Sequence, residues 1–115
     1  MTKTALSLDE IRRFLAEKRT EIDNIDVHLV ELLNQRAAAA QEIGRAKETA
    51  GLPIYEPKRE DDVYRNVLAA NAGPLSGDAL KRVFERIIDE MRSIQNRDRK
   101  GAVDATAFHP GQGDS

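Results

Sequence analysis

Between Leu8 and Thr49 the chain has no proline and one glycine, Gly44. Apolar residues fall at Ile11, Leu15, Ile22, Ile25, Leu29, Leu32, Ala40 and Ile43. These are steps of three and four, or their sums, and they mark one face of a helix. The start is equally legible. Ser7 can cap, Glu10 three residues on completes a capping box, and Leu6 can staple to Ile11. Gly51 and Pro53 supply the stop. The pattern predicts one helix from about Leu8 to about Thr49, roughly 60 Å long at the rise of an α-helix. A compact domain of this chain length has a radius of gyration of only about 13 Å. A helix that outreaches its own globule must lay its apolar stripe against another chain, so the expected assembly is an obligate, intertwined homodimer.

The rest of the chain reads as two shorter helices. Pro57 suits the first position of a second helix over about 57–71, with Val63, Val67 and Leu68 on its apolar face. Asn71 to Pro74 break it, and Ser76 can cap a third helix with Asp78 in its first turn. Leu80, Val83, Phe84, Ile87, Ile88, Met91 and Ile94 give that helix an amphipathic face to about Arg97. From Gly101 onward no periodicity remains. The expected organisation is an all-α domain over residues 1–97, three helices per chain and six in the dimer, followed by a disordered tail over 98–115.

Composition narrows the function classes. Of 115 residues 33% are charged and 4% aromatic, with a net charge of −2, which argues against a general nucleic-acid binder. Cysteine is absent, excluding disulfides and thiolate metal sites. No apolar run approaches a membrane span, and the N-terminal MTKTALSLDE has no apolar signal core, so a cytoplasmic location is expected.

Three groups break the apolar pattern. Arg36 and Lys47 lie on the stripe of the first helix, eleven residues or about three turns apart, with small residues between them. Cations on a buried seam are costly unless paired. A single one is often a long stem snorkelling to water, as Lys18 beside Glu17 and Glu21 can do. Two inward cations separated by Ala37 to Ala40 and Gly44 instead outline a positive hollow suited to a small anion. Arg45 points about 200° away from Lys47 and reads as solvated surface. Arg59 sits in the first turn of the second helix, where the macrodipole disfavours a cation, beside Glu60. Gln95 puts an amide on the apolar seam of the third helix, four residues past Met91. His28 and His109 are isolated, and no glycine-rich phosphate loop is present. Cations, two acceptors (Glu56 and Glu60) and one amide can bind and polarise an anion without covalent chemistry.

Taken together, Arg19, Asp26, Leu32-Leu33, Arg36, Glu42 to Lys47, Pro53-Ile54, Arg59-Glu60, Ile87-Ile88 and Gln95 resemble the all-helical chorismate mutases across roughly residues 9–97. The resemblance implies conversion of chorismate to prephenate by a Claisen rearrangement, with no metal and no cofactor. It implies that Arg36 binds a substrate carboxylate. Lys47 would contact a carboxylate and the ether oxygen of the breaking bond, and Gln95 would donate to that oxygen. Glu60 would accept from the ring hydroxyl, Arg59 would support the same wall, and Arg19 of the partner chain would bind a carboxylate. Glu56 stands where many members carry Asp, with the hydroxyl or Arg59 as its expected partner. Met91 falls where some carry a small or polar residue touching substrate, and plain core is its other reading. Helix geometry bears on Arg19 independently: 17 residues from Arg36, it lies about 25 Å along the axis and about 100° around it, so one straight helix cannot bring both to one small ligand. The competing functions are an isochorismate-pyruvate lyase with a similar cationic pocket, and a non-catalytic helical dimerisation or regulatory module.

Overall fold

The computed structural model describes residues 5–107, with side chains described through residue 101. It contains three helices, α1 (Leu8–Ala50), α2 (Pro57–Ala70) and α3 (Gly77–Ala107), and no strand among the described residues. None of the described helices is long and apolar enough to cross a membrane.

The expected boundaries of α1 and α2 hold to within a residue, because side-chain chemistry fixes them locally. At the start of α1 the Ser7 N–H donates to Glu10 Oε1 at 3.0 Å and the Glu10 N–H donates to Ser7 Oγ at 3.1 Å. This is the reciprocal capping box, and the Ser7 amide and hydroxyl hold the Glu10 carboxyl below its ordinary value. At the far end Gly51 turns the backbone with φ 71°. The Leu52 N–H then reaches Lys47 O at 2.7 Å and the Gly51 N–H reaches Glu48 O at 3.1 Å. This pair of bonds is the Schellman stop, which needs a left-handed residue at its pivot. Pro57 opens α2, whose first bond runs from the Glu60 N–H to Glu56 O at 3.1 Å. Ser76 caps α3 as its sequence position predicts, its Oγ accepting from the Ala79 N–H at 3.1 Å.

The end of α3 differs from expectation. The helix continues to Ala107, ten residues past the expected stop near Arg97. Residues 98–107 of the expected disordered tail are therefore helical, while 108–115 lie outside the described residues. The reason lies in what periodicity measures. Loss of apolar repeat reports loss of a buried face, not loss of helix. Residues 98–107 contain no proline, and Gly101 alone costs about 1 kcal/mol against alanine.

The chain divides into two units, residues 1–36 and 37–115. In the first, every residue from Ala5 to Gln35 is exposed, including Phe14, Ile22, Ile25, Leu29 and Val30. Between residues 5 and 35 it carries local helix pairs such as Lys18 Nζ to Glu21 at 3.1 Å and His28 Nδ1 to Glu31 at 3.3 Å. Exposed pairs of this kind contribute only a few tenths of a kcal/mol, by rough estimate. In the second unit α2 packs against α3, and Ala40, Val63, Ile88 and Met91 form a small core.

Candidate active site

The second unit holds six of the eight residues singled out from sequence, and its packing explains their placement. Ile88 and Met91 bury the α3 face on which Gln95 lies one turn further on. Gln95 Nε2 donates to the Ala40 carbonyl of α1 at 2.6 Å. So close an approach requires Gly44: a Cβ there would stand 2.9 Å from Gln95 Cγ, closer than real carbon contacts allow. The helical cost of that glycine is thus the condition for seating the amide. An amide nitrogen carries two N–H donors, so one remains to Gln95 after the bond to Ala40.

Lys47 sits in the last turn of α1 with its side chain 14% exposed. Its ammonium donates to the Ile54 carbonyl at 3.1 Å and forms an ion pair with Glu56. A nearly buried cation needs such partners to offset its lost hydration. Two of its three donors are engaged by these groups, and the third is left for another acceptor. Sequence reasoning offered Glu56 a ring hydroxyl or Arg59 as partner, and the structure joins it to Lys47. The difference arises because the Schellman turn folds the 51–56 segment back over the end of the helix that carries Lys47, a tertiary consequence of one glycine.

Glu60, with 19% of its side chain exposed, faces Arg92 of α3, whose Nε lies 3.3 Å from Glu60 Oε2. Nε is buried and makes no hydrogen bond, so this is an ion pair of poor hydrogen-bond geometry. Arg92 also donates to Asp89 at 2.8 Å and lies over the Tyr55 ring, 5.4 Å from its centroid. Nearby, burial together with the carboxylates of Glu85, Glu60 and Asp89 raises the Tyr64 phenol above its ordinary value, so it stays neutral at neutral pH. Arg59 is exposed and forms no ion pair among the described residues. Met91 is buried, which matches its reading as core. In the first unit Arg19 is exposed, and Arg36 is half-buried. Arg45 is exposed, as its helical angle predicts.

Sequence reasoning missed two arginines, Arg92 and Arg99. Arg99 donates to the Leu52 carbonyl at 3.1 Å and to the Gly44 carbonyl at 3.5 Å. A signal for both existed. Ile88, Arg92, Gln95 and Arg99 follow one another in steps of four, three and four, the stripe that marked Gln95.

The arrangement in the second unit is a shielded ammonium and a seated amide, each with a donor to spare, plus a carboxylate held by a guanidinium. Such groups can hold and polarise an oxyanion or ether oxygen. Comparisons with known proteins point to one family. The family model for chorismate mutase type II matches residues 18–96. A solved chorismate mutase (form II) from Thermus thermophilus superposes with a TM-score of 0.71 at 31% identity, covering 72% of this chain and 94% of that one. A bifunctional chorismate mutase/prephenate dehydratase from Aquifex aeolicus is 37% identical over 87 residues, 72% of this chain and 24% of its own length. A chorismate mutase from Methanocaldococcus jannaschii is 36% identical over 53 residues, 46% of this chain and 54% of its own. The chain thus spans about a quarter of the length of the bifunctional relative. With 79 residues matched (18 to 96) by the family model, more than half of its length, this chain belongs to the chorismate mutase type II family.

Proposed function

We propose that the chain rearranges chorismate to prephenate, a step toward phenylalanine and tyrosine, by electrostatic stabilisation and conformational restraint. The observation that carries the reading is the pair of partly engaged donors. Lys47 is held by Ile54 O and Glu56, and Gln95 is held by Ala40 O against Gly44.

The reaction breaks a C–O bond and forms a C–C bond within one molecule, and no proton need move. Negative charge grows on the ether oxygen as the C–O bond lengthens. The spare N–H groups of Lys47 and Gln95 are the donors for that charge. Because both side chains are already anchored, little reorganisation is needed as it develops. Their other task is to hold the flexible dianion in its folded, reactive shape. Glu60, oriented by Arg92, accepts from the ring hydroxyl. Arg36 binds a substrate carboxylate, Arg59 supports the wall beside Glu60, and Arg19 serves the site of the partner chain in a homodimer. Arg19, Arg36, Lys47 and Arg59 against Glu56 and Glu60 leave about two positive charges in excess, matched to a dianion on a chain of net charge −2. Support for the dimer comes from the apolar side chains exposed along residues 11–33.

The test is turnover by the purified chain, with prephenate formation from chorismate as the expected result and isochorismate as the second substrate. Cleavage of isochorismate to pyruvate without rearrangement of chorismate would replace this reading by a lyase. Mixing Arg19→Ala chains with Arg36→Ala chains tests the shared site. Heterodimers should regain activity, and uniformly inactive mixtures would show that Arg19 serves no partner.

A further inference from the structure

Beyond residue 96, where the family match ends, α3 continues and returns two polar side chains to the end of α1. Asp98 accepts from Gln41 Nε2 at 3.1 Å. Arg99 spans two carbonyls, Leu52 O through Nη1 at 3.1 Å and Gly44 O through Nη2 at 3.5 Å. Gly44 lies in the second-to-last turn of α1 and Leu52 in the segment leaving it, near the negative end of the helix dipole, and each carbonyl oxygen has a second lone pair to offer. The guanidinium fork fits two such acceptors at once, as an ammonium cannot.

The position of Leu52 gives this contact its consequence. Its N–H is bonded to Lys47 O at 2.7 Å. Two residues later Ile54 offers the carbonyl that takes the Lys47 ammonium, and Glu56 completes the ammonium's setting. Arg99 therefore grips the segment whose backbone and carboxylate aim Lys47. Asp98 ties the same stretch of α3 to α1 through Gln41 but makes no hydrogen bond or ion pair with residues 51–56 among the described residues. We propose that Arg99, which lies beyond the family match, is a positioning residue for Lys47, acting through the 51–56 segment. This rests on the reading of Lys47 as the donor to the ether oxygen.

Full-length Arg99→Met, Arg99→Lys and Asp98→Ala chains separate positioning from general docking of α3. Arg99→Met should lower kcat for chorismate by roughly tenfold, since a sub-ångström loss of aim is costly, while KM changes little. Arg99→Lys, which can reach one carbonyl, should fall between that variant and the unsubstituted chain. Asp98→Ala should keep kcat within about a factor of two, because it leaves the reacting geometry untouched. Amide hydrogen exchange at residues 52–56 should quicken in Arg99→Met and stay unchanged in Asp98→Ala. Unchanged kcat in Arg99→Met, or an equal loss in Asp98→Ala, would overturn the proposal. If Arg99→Met does not fold, Arg99→Lys decides: kcat and exchange both equal to the unsubstituted chain would overturn it. If the unsubstituted chain does not rearrange chorismate, the functional reading fails by itself. The exchange data then still show whether Arg99 holds the segment.

Discussion

The two units of this chain solve the problem of a mixed polar and apolar sequence in opposite ways. In residues 5–35 every side chain is exposed, large aliphatic ones included, and the polar contacts are pairs one helical turn apart. In residues 37–107 a core of Ala40, Val63, Ile88 and Met91 is bordered by long-range polar contacts: Gln95 to Ala40, Lys47 to Ile54 and Glu56, Glu60 to Arg92, and Arg99 to Leu52. The first is a helix with a surface to cover. The second is a small packed frame that holds charged groups in fixed positions. The contrast teaches that one amphipathic pattern can leave apolar side chains exposed in one part of a helix and seat polar groups against packed neighbours in the other.

The sharpest way to break the first unit without touching the second is to put a charge on its apolar stripe. On the proposed dimer, Ile25→Asp should cost about 3 kcal/mol or more per site, because it loses apolar burial and buries a carboxylate. Sedimentation at micromolar concentration should then show loss of the dimer. A variant that sediments like the unsubstituted chain would remove the stripe from the interface.

The converse variant spares association and strikes the frame. Lys47→Ala should lower kcat/KM by about 3 kcal/mol, in the range found for deleting an oxyanion donor, with dimer and helix content retained. Activity within a factor of a few of the unsubstituted chain would show that the ammonium does not serve the reaction.

A milder probe asks whether the frame is a matter of stability or of aim. Gly44→Ala gains up to about 1 kcal/mol of helix propensity. It also forces Gln95 aside, because the new methyl would meet Gln95 Cγ at 2.9 Å. The expected outcome is a nearly unchanged thermal midpoint with a roughly tenfold lower rate, as befits a displaced donor. Equal activity would mean that Gln95 can be reseated without consequence.

The smallest effect belongs to the start of α1. Ser7 holds the Glu10 carboxyl below its ordinary value of 4.5. A depressed carboxyl contributes stability that is present above its unfolded pKa and lost as pH falls through its folded one. The first turn of α1 should therefore fray below about pH 4.5, read as faster amide exchange at residues 8–11. Glu10→Gln should flatten that pH dependence and leave residues 37–107 unaffected.

Much of this was legible beforehand, and the reasons are local. The bounds of α1 follow from Ser7, Glu10 and Gly51, each acting within a few residues of itself. Lys47 and Gln95 stood out because each interrupts an apolar stripe. Arg92 and Arg99 lie on the same stripe as Gln95 yet passed unnoticed, because arginine is common on exposed helix faces and its stem can cover apolar surface anywhere. The extension of α3 passed unnoticed because the apolar repeat fades before the helix does.

By itself, the sequence determined the helical class, the length of α1, the caps, and which polar residues stand on apolar faces. All of these depend on interactions within a turn or two of the chain. Only the tertiary structure decided the partners of those polar residues. Glu56 goes to Lys47, Glu60 to Arg92, and Arg99 to Leu52 and Gly44. A charged side chain can reach several candidates at similar sequence cost. The choice among them is made by which backbone approaches closely, here where Gly44 admits α3 and Gly51 turns the chain back toward Lys47.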